Sequence, residues 1–229
     1  MPQLADPPPP TDERPAARRS PVLHRPTVLR GVTWEEYVGL RAKPENEHVK
    51  LTYDGPNGGL LEIERPNGLL HETVSRMLAA LILAFCEERK LSVRPSGAVT
   101  QNREDLRRGL EGDESFYLAH AEALRRRNHV DLAAGDPPPD LCVEVDVTSP
   151  GVAKLPIYAA LGVPEVWVWA DDALTVHRRT GDDGYKISEE SGALPGFPVA
   201  FAAELIARRD DAEHFALLKQ FRDRVRPAA

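Results

Sequence analysis

The stretch DLCVEVDVT, residues 140–148, alternates without a break: Val143, Val145 and Val147 fall on one side, Glu144, Asp146 and Thr148 on the other. A period of two belongs to a β-strand, whose successive side chains point to opposite faces. The valine face demands a covering apolar layer. The acid face is the harder constraint, because two neighbouring carboxylates lose water at great cost unless a cation compensates them. Two arrangements meet it: an edge strand whose acids are simply solvated, or a strand whose acids serve a cation.

The flanking sequence supplies the layers. From Leu69 to Arg89, the residues Leu70, Val74, Met77, Leu78, Leu81, Ile82 and Phe85 recur at three- and four-residue steps, which predicts an amphipathic helix. Thr33 followed by Glu36 is a capping box opening a short helix over TWEEYVGLRAK. Residues 60–64, 92–101 and 115–120 read as strands, EALRRRNHV as a helix, and AKLPIYAALG as a helix interrupted or begun near Pro156. VPEVWVWA and LTVHRR form a hairpin-like pair turning at Asp171 and Asp172, and helical spacing returns over 201–224. The order implies an α/β fold with one central mixed β-sheet flanked by helices. Three parts are expected: a disordered proline-rich arm over 1–28, a domain over 29–200 and a C-terminal helical extension over 201–229.

Composition narrows the function classes. The chain of 229 residues carries 36 acidic and 29 basic side chains, a net charge of −7, so bulk charge gives no argument for nucleic-acid binding. Local basic runs remain at 125–129 (RRRNH), 102–108 (NREDLRR) and 207–211 (ARRDD), and such runs are most simply solvated faces. Cys86 and Cys142 lie far apart in apolar segments, like small buried hydrophobes rather than half of a zinc site. No apolar run approaches the ~20 residues of a membrane span, and the first residues lack a secretory h-region, so a cytoplasmic protein with no membrane partner is expected. GPNGG lacks the Lys-Ser/Thr of a nucleotide-binding loop, the histidines show no H-x-x-x-H spacing, and no G-x-S-x-G is present.

Within this frame a few residues carry chemistry. Asp113, in GLEGDESFYLAH, opens a strand that would meet Glu144 if the two strands are neighbours. Lys154 lies ten residues after Glu144, at the start of a helix that should pack back over the same sheet. Carboxylates on adjacent strands plus a lysine are what metal-dependent phosphodiester hydrolysis requires: the acids hold a divalent cation and the amine stabilises charge at the reacting centre.

GLEGDESFYLAH, PPDLCVEVDVTSPGVAKLPIYAALGVPEVWVW and TYDGPNGGLLEIERPNGLLHETVSRML together resemble the bacterial Uma-two family, within the restriction-endonuclease-like group whose signature is PD-(D/E)XK. The resemblance covers about residues 33 to 200. It implies a restriction-endonuclease-like core and a Mg²⁺-dependent (or Mn²⁺-dependent) nuclease. Asp113 takes the place of the signature aspartate, with Gly112 where the pattern has proline, and Glu144 the place of the (D/E). Asp146 stands where the pattern has lysine, and Lys154 resembles a lysine relocated to the following helix. The Val145 carbonyl is implied as a further metal ligand. Glu62, His71 and Glu72 are candidates for an additional group, although helical phase sets Glu72 roughly opposite the apolar stripe.

The expectation is therefore an endonuclease with nucleic acid, DNA first, as its partner; Asp113 and Glu144 would bind metal, Asp146 is a candidate third acid, and Lys154 would position or activate water. A nuclease-fold binding or regulatory module with little cleavage is the rival. Asp113 as a strand-opening turn residue and Lys154 as a surface lysine are the plainer readings of each residue alone. Trp167 and Trp169 suit a core or the interface of a homodimer.

Overall fold

A computed structural model describes residues 26–64, 67–146, 153–181 and 184–227. In chain order its elements are β1 (Thr27–Leu29), α1 (Trp34–Arg41), β2 (Leu51–Asp54), β3 (Leu60–Ile63), α2 (Leu69–Glu88), β4 (Arg94–Pro95), β5 (Thr100–Arg103), β6 (Arg108–Glu111), β7 (Glu114–Tyr117), β8 (Leu141–Asp146), α3 (Lys154–Leu161), β9 (Glu165–Ala170), β10 (Ala173–Arg179), β11 (Tyr185–Ser188), α4 (Val199–Ala207) and α5 (His214–Val225). The strands form two sheets rather than one: a five-stranded sheet in the order β1-β3-β2-β6-β5, and a six-stranded sheet in the order β11-β10-β9-β8-β7-β4. Every pairing is antiparallel except β8 with β9, which is parallel and makes the larger sheet mixed. That pair is joined through α3, the long crossover that parallel neighbours need.

Alternation along β8 builds both faces of the large sheet. Val143 and Val145 enter a core shared with α2, α4 and α5, where Trp167, Trp169, Phe197, Leu205 and Phe221 are also buried. Cys142, one step out of phase, packs on the other face with Ile157, Tyr158 and Leu161 of α3 and with Leu60 and Leu110 of the smaller sheet. A third cluster closes the far side, where Tyr37 of α1 stacks on Tyr53 at 4.9 Å beside Leu51 and Leu61. The layers run from α2, α4 and α5 through the large sheet to α3 and the small sheet, and then to α1.

Several local expectations hold in detail. Thr33 and Glu36 form both halves of the capping box, with Thr33 N–H donating to Glu36 Oε2 at 2.7 Å. Asp171 and Asp172 both take positive φ, 50° and 56°, as a two-residue hairpin turn of the type that matches strand twist requires. Others shift. Residues 122–130 form turns, not a helix: three consecutive arginines crowd like charge, and of that stretch only Leu124 is buried. The 92–101 strand divides into β4 and β5, which belong to different sheets. β8 lies between β7 and β9, so its acids are not on a wet edge. Trp167 and Trp169, 0% and 2% exposed, are spent in the protein's own core and are removed from any dimer surface. α2 has the length and apolar content of a membrane span, contrary to the expectation that no such run exists, but its apolar side is packed into the main core.

Residues 1–25 of the expected arm lie outside the described residues, as do Val147 and Thr148 of the acidic strand, while Thr27 and Val28 pair with β3. The C-terminal segment is not peripheral to the packing: Leu217, Phe221 and Val225 of α5 lie in the main core with α2.

Candidate active site

The two sheets meet where β6 ends and β7 begins, with only Gly112 and Asp113 between them. This seam brings the candidates together. β7 pairs with β8 so that Glu114 faces Val143, which sets Asp113 beside the C-terminal half of β8. Its backbone N–H donates to Val143 O at 3.2 Å. In return the Val145 N–H donates to Asp113 Oδ2 at 2.8 Å, so main chain and side chain both fix the aspartate. From α2, His71 Nε2 lies 3.0 Å from the same Oδ2. An ionised carboxylate only accepts, so Nε2 carries the proton in this pair. His71 Nδ1 is buried with no hydrogen-bond partner among the described residues; the Glu72 carboxylate stands 3.6 Å off.

Two groups from the small sheet complete the arrangement. Lys50 and Glu64 sit across from each other just beyond the ends of β2 and β3, joined by Glu64 N–H to Lys50 O at 3.0 Å. Lys50 Nζ reaches Asp113 Oδ1 at 2.6 Å and Gly112 O at 3.4 Å. Lys154, the first residue of α3, bridges Glu64 Oε1 at 2.7 Å and Glu144 Oε2 at 2.9 Å. One turn further along, the Tyr158 hydroxyl donates to Glu144 Oε1. Gly112 fits against that hydroxyl: a Cβ there would lie 2.5 Å from it and 3.5 Å from Glu144 Oε1. The glycine in place of the signature proline thus keeps open the space that the tyrosine fills.

The electrostatics separate the two principal acids. Burial pushes Glu144 up to about 7, and Lys154 only partly opposes it while Asp113 and Glu64 add to it. Burial would also raise Asp113, but the His71 hydrogen bond and the charges of Lys50, His71 and Lys154 hold it well below the usual carboxylate range. Burial would lower Lys154; Glu144, Glu64 and Asp113 reverse that and raise it, so its ammonium persists. Lys50 is raised as well, against burial, chiefly by Asp113.

Of the residues picked from the sequence, Asp113, Glu144, Lys154 and His71 converge. Val145 takes part through its N–H. Glu72 is 45% exposed at its side chain and pairs with Asn67 and Arg76, in keeping with its helical phase. Glu62 is buried in β3, opposite Thr52. Asp146 ends β8, less buried than Glu144. Lys50, Glu64 and Tyr158 join them from outside that set. The i, i+2 spacing of Glu62 and Glu64 points to Glu64 and the i, i+4 spacing of Lys154 and Tyr158 to Tyr158, while no local pattern points to Lys50.

The donor set suits a hard cation. Asp113 and Glu144 offer carboxylate oxygens of the kind magnesium takes in ones and twos, with water and substrate oxygens completing the shell. It does not form an all-protein cage, since among the described residues no three His, Cys, Asp or Glu side chains stand close enough to enclose an ion.

Comparison with known proteins identifies the family. The model of the Uma2 family, described as "Putative restriction endonuclease", matches residues 34–203, from the first residue of α1 into α4. Among solved structures the chain is similar to a protein of Anabaena variabilis ATCC 29413, described as a "putative nuclease belonging to DUF820". The two share 17% sequence identity with a TM-score of 0.48, over 82% of this chain and 99% of that one. No curated protein matches. Such families are usually metal-dependent and act on nucleic acid. The chain belongs to the Uma2 family of restriction-endonuclease-like enzymes.

Proposed function

We propose that the protein is a Mg²⁺-dependent DNA endonuclease whose site is the seam between the two sheets. The observation that carries this reading is the meeting of Asp113, just before β7, with Glu144 of β8 and Lys154 of α3. Asp113 and Glu144 would hold the cation, with the Val145 carbonyl as the third protein ligand. A divalent ion there supplies Lewis acidity toward the phosphate and toward the attacking water. Asp113 stays ionised and oriented, because the Val145 N–H and His71 both grip Oδ2. Lys154 keeps its proton between two carboxylates, so it serves as a fixed positive charge near the developing negative charge rather than as a base. Asp146 follows on the same strand face as Glu144 and is a further acid at the rim.

One copy carries one such seam and cuts one strand, so nicked circles are the product of a single copy, and linear DNA reports two copies acting together. Purified protein should nick supercoiled plasmid in Mg²⁺ and leave it intact in EDTA, with Glu144→Ala inactive at unchanged far-UV circular dichroism. Nicking that survives Glu144→Ala refutes the assignment. The rival is a nuclease-fold binding module, favoured by Asp146 where the signature has lysine. It predicts DNA retention in a gel without any Mg²⁺-dependent product.

A further inference from the structure

Asp113 presents two oxygens with different surroundings. Oδ2 is occupied by the Val145 N–H at 2.8 Å and His71 Nε2 at 3.0 Å, a backbone group and a buried ring that cannot easily leave. Oδ1 is held by Lys50 Nζ at 2.6 Å. A cation that binds Asp113 therefore approaches through Oδ1, where an ammonium already sits. Lys154 is placed differently: it is clamped between Glu64 and Glu144 and its side chain is 14% exposed, so release from one carboxylate leaves it bound by the other. Among the described residues Lys50 has a single carboxylate partner, a backbone carbonyl at the edge of hydrogen-bond range, and a side chain on a flexible four-carbon stem.

From this asymmetry we infer that Lys50 is a partner-switching cation: it occupies Asp113 Oδ1 in the metal-free site and moves to a phosphate oxygen of the nucleic acid when a divalent ion takes that oxygen. The inference rests on the nuclease reading of the site and deepens it. Two consequences follow. In the free protein, Lys50 competes with the ion for Asp113, so metal binding is weak. In the presence of a polyphosphate strand, the displaced ammonium gains a new anionic partner next to the ion, so metal and nucleic acid bind cooperatively, each strengthening the other by the same factor. Lys50 is then a positioning residue that ties metal uptake to substrate.

The test is calorimetric titration of Mn²⁺ into the full chain, wild type, Lys50→Met and Lys50→Gln, with and without a phosphorothioate DNA duplex that resists cleavage. Thermal melts of each variant establish that it is folded, and glutamine keeps a donor on Asp113 where methionine does not. Removing the competing charge should tighten Mn²⁺ binding to the free protein about tenfold, equivalent to ~1.4 kcal/mol. The duplex should tighten Mn²⁺ binding to the wild type by about tenfold or more, and this coupling should vanish in both variants. Unchanged or weaker Mn²⁺ binding by both variants overturns the inference, as does coupling that survives the loss of Lys50, or an absence of Mn²⁺ binding in every form. Plasmid nicking separates the two claims. A wild type that nicks DNA with no effect of Lys50 on metal affinity retains the nuclease reading and loses this one. Tighter Mn²⁺ binding by the variants of a protein that never nicks does the reverse.

Discussion

Replacing Lys154 by methionine isolates the charge balance of the seam. Its ammonium lies within 3 Å of both Glu64 and Glu144, whose side chains are only 15% and 9% exposed. Stripping a buried ion pair of one partner costs ~3–5 kcal/mol because the remaining charge stays desolvated. Partial exposure and the ability of Glu144 to take up a proton place this variant at the lower end, about 3 kcal/mol. For a chain of this size that lowers the melting temperature by roughly 6–12 °C, at ~2–4 °C per kcal/mol. Two additional measurements identify the mechanism. Combining Lys154→Met with Glu144→Gln removes one of the stranded charges and should recover a large share of the loss. Adding Mg²⁺ should raise the melting temperature of Lys154→Met more than that of the wild type, because the ion replaces the missing cation; saturation a hundredfold above Kd contributes ~2.7 kcal/mol. Scanning calorimetry in EDTA and in Mg²⁺ makes the comparison. A single variant that melts within about 2 °C of the wild type in EDTA refutes the argument that Lys154 neutralises buried carboxylates.

Further outcomes follow from other parts of the molecule. Tyr158→Phe deletes the donor to Glu144 Oε1 and leaves that buried oxygen without it, which should cost ~1–3 kcal/mol, read by urea unfolding. Phe221→Ala opens a cavity beside Phe197 and should cost ~3–5 kcal/mol in the same measurement, testing whether the C-terminal helix is integral to the core. Asp171→Val, at φ 50°, places a β-branched residue in left-handed backbone and should lose ~1–2 kcal/mol without affecting nicking.

How much of this was legible in the sequence depends on the range of the interaction. The valine and carboxylate faces of β8, the stripe of α2 and the Asp171-Asp172 turn are written in patterns a few residues long, and the structure reproduces them. Asp113 and Lys154 are singled out only on the assumption that their elements meet Glu144, and the family resemblance supports that assumption, because nothing local distinguishes them from a turn acid and a surface lysine. Lys50 has no local signal at all, and Glu64 has only its i, i+2 spacing from Glu62. They act through the small sheet, and the step that brings that sheet against the large one is a two-residue crossing at Gly112 and Asp113 that looks like an ordinary turn. Reading the 92–101 segment as one strand concealed the existence of a second sheet, since β4 and β5 belong to opposite sides of the seam. The histidine could have been favoured over Glu72 on phase alone, and its burial against Asp113 follows that phase.

The central claim is that Asp113 and Glu144 share one divalent ion. The most direct measurement is the anomalous scattering of a crystal soaked in Mn²⁺. A peak at about 2.1–2.4 Å from both Asp113 Oδ1 and a Glu144 oxygen is the predicted result. An empty seam at saturating Mn²⁺, or a peak held by other residues, would contradict it.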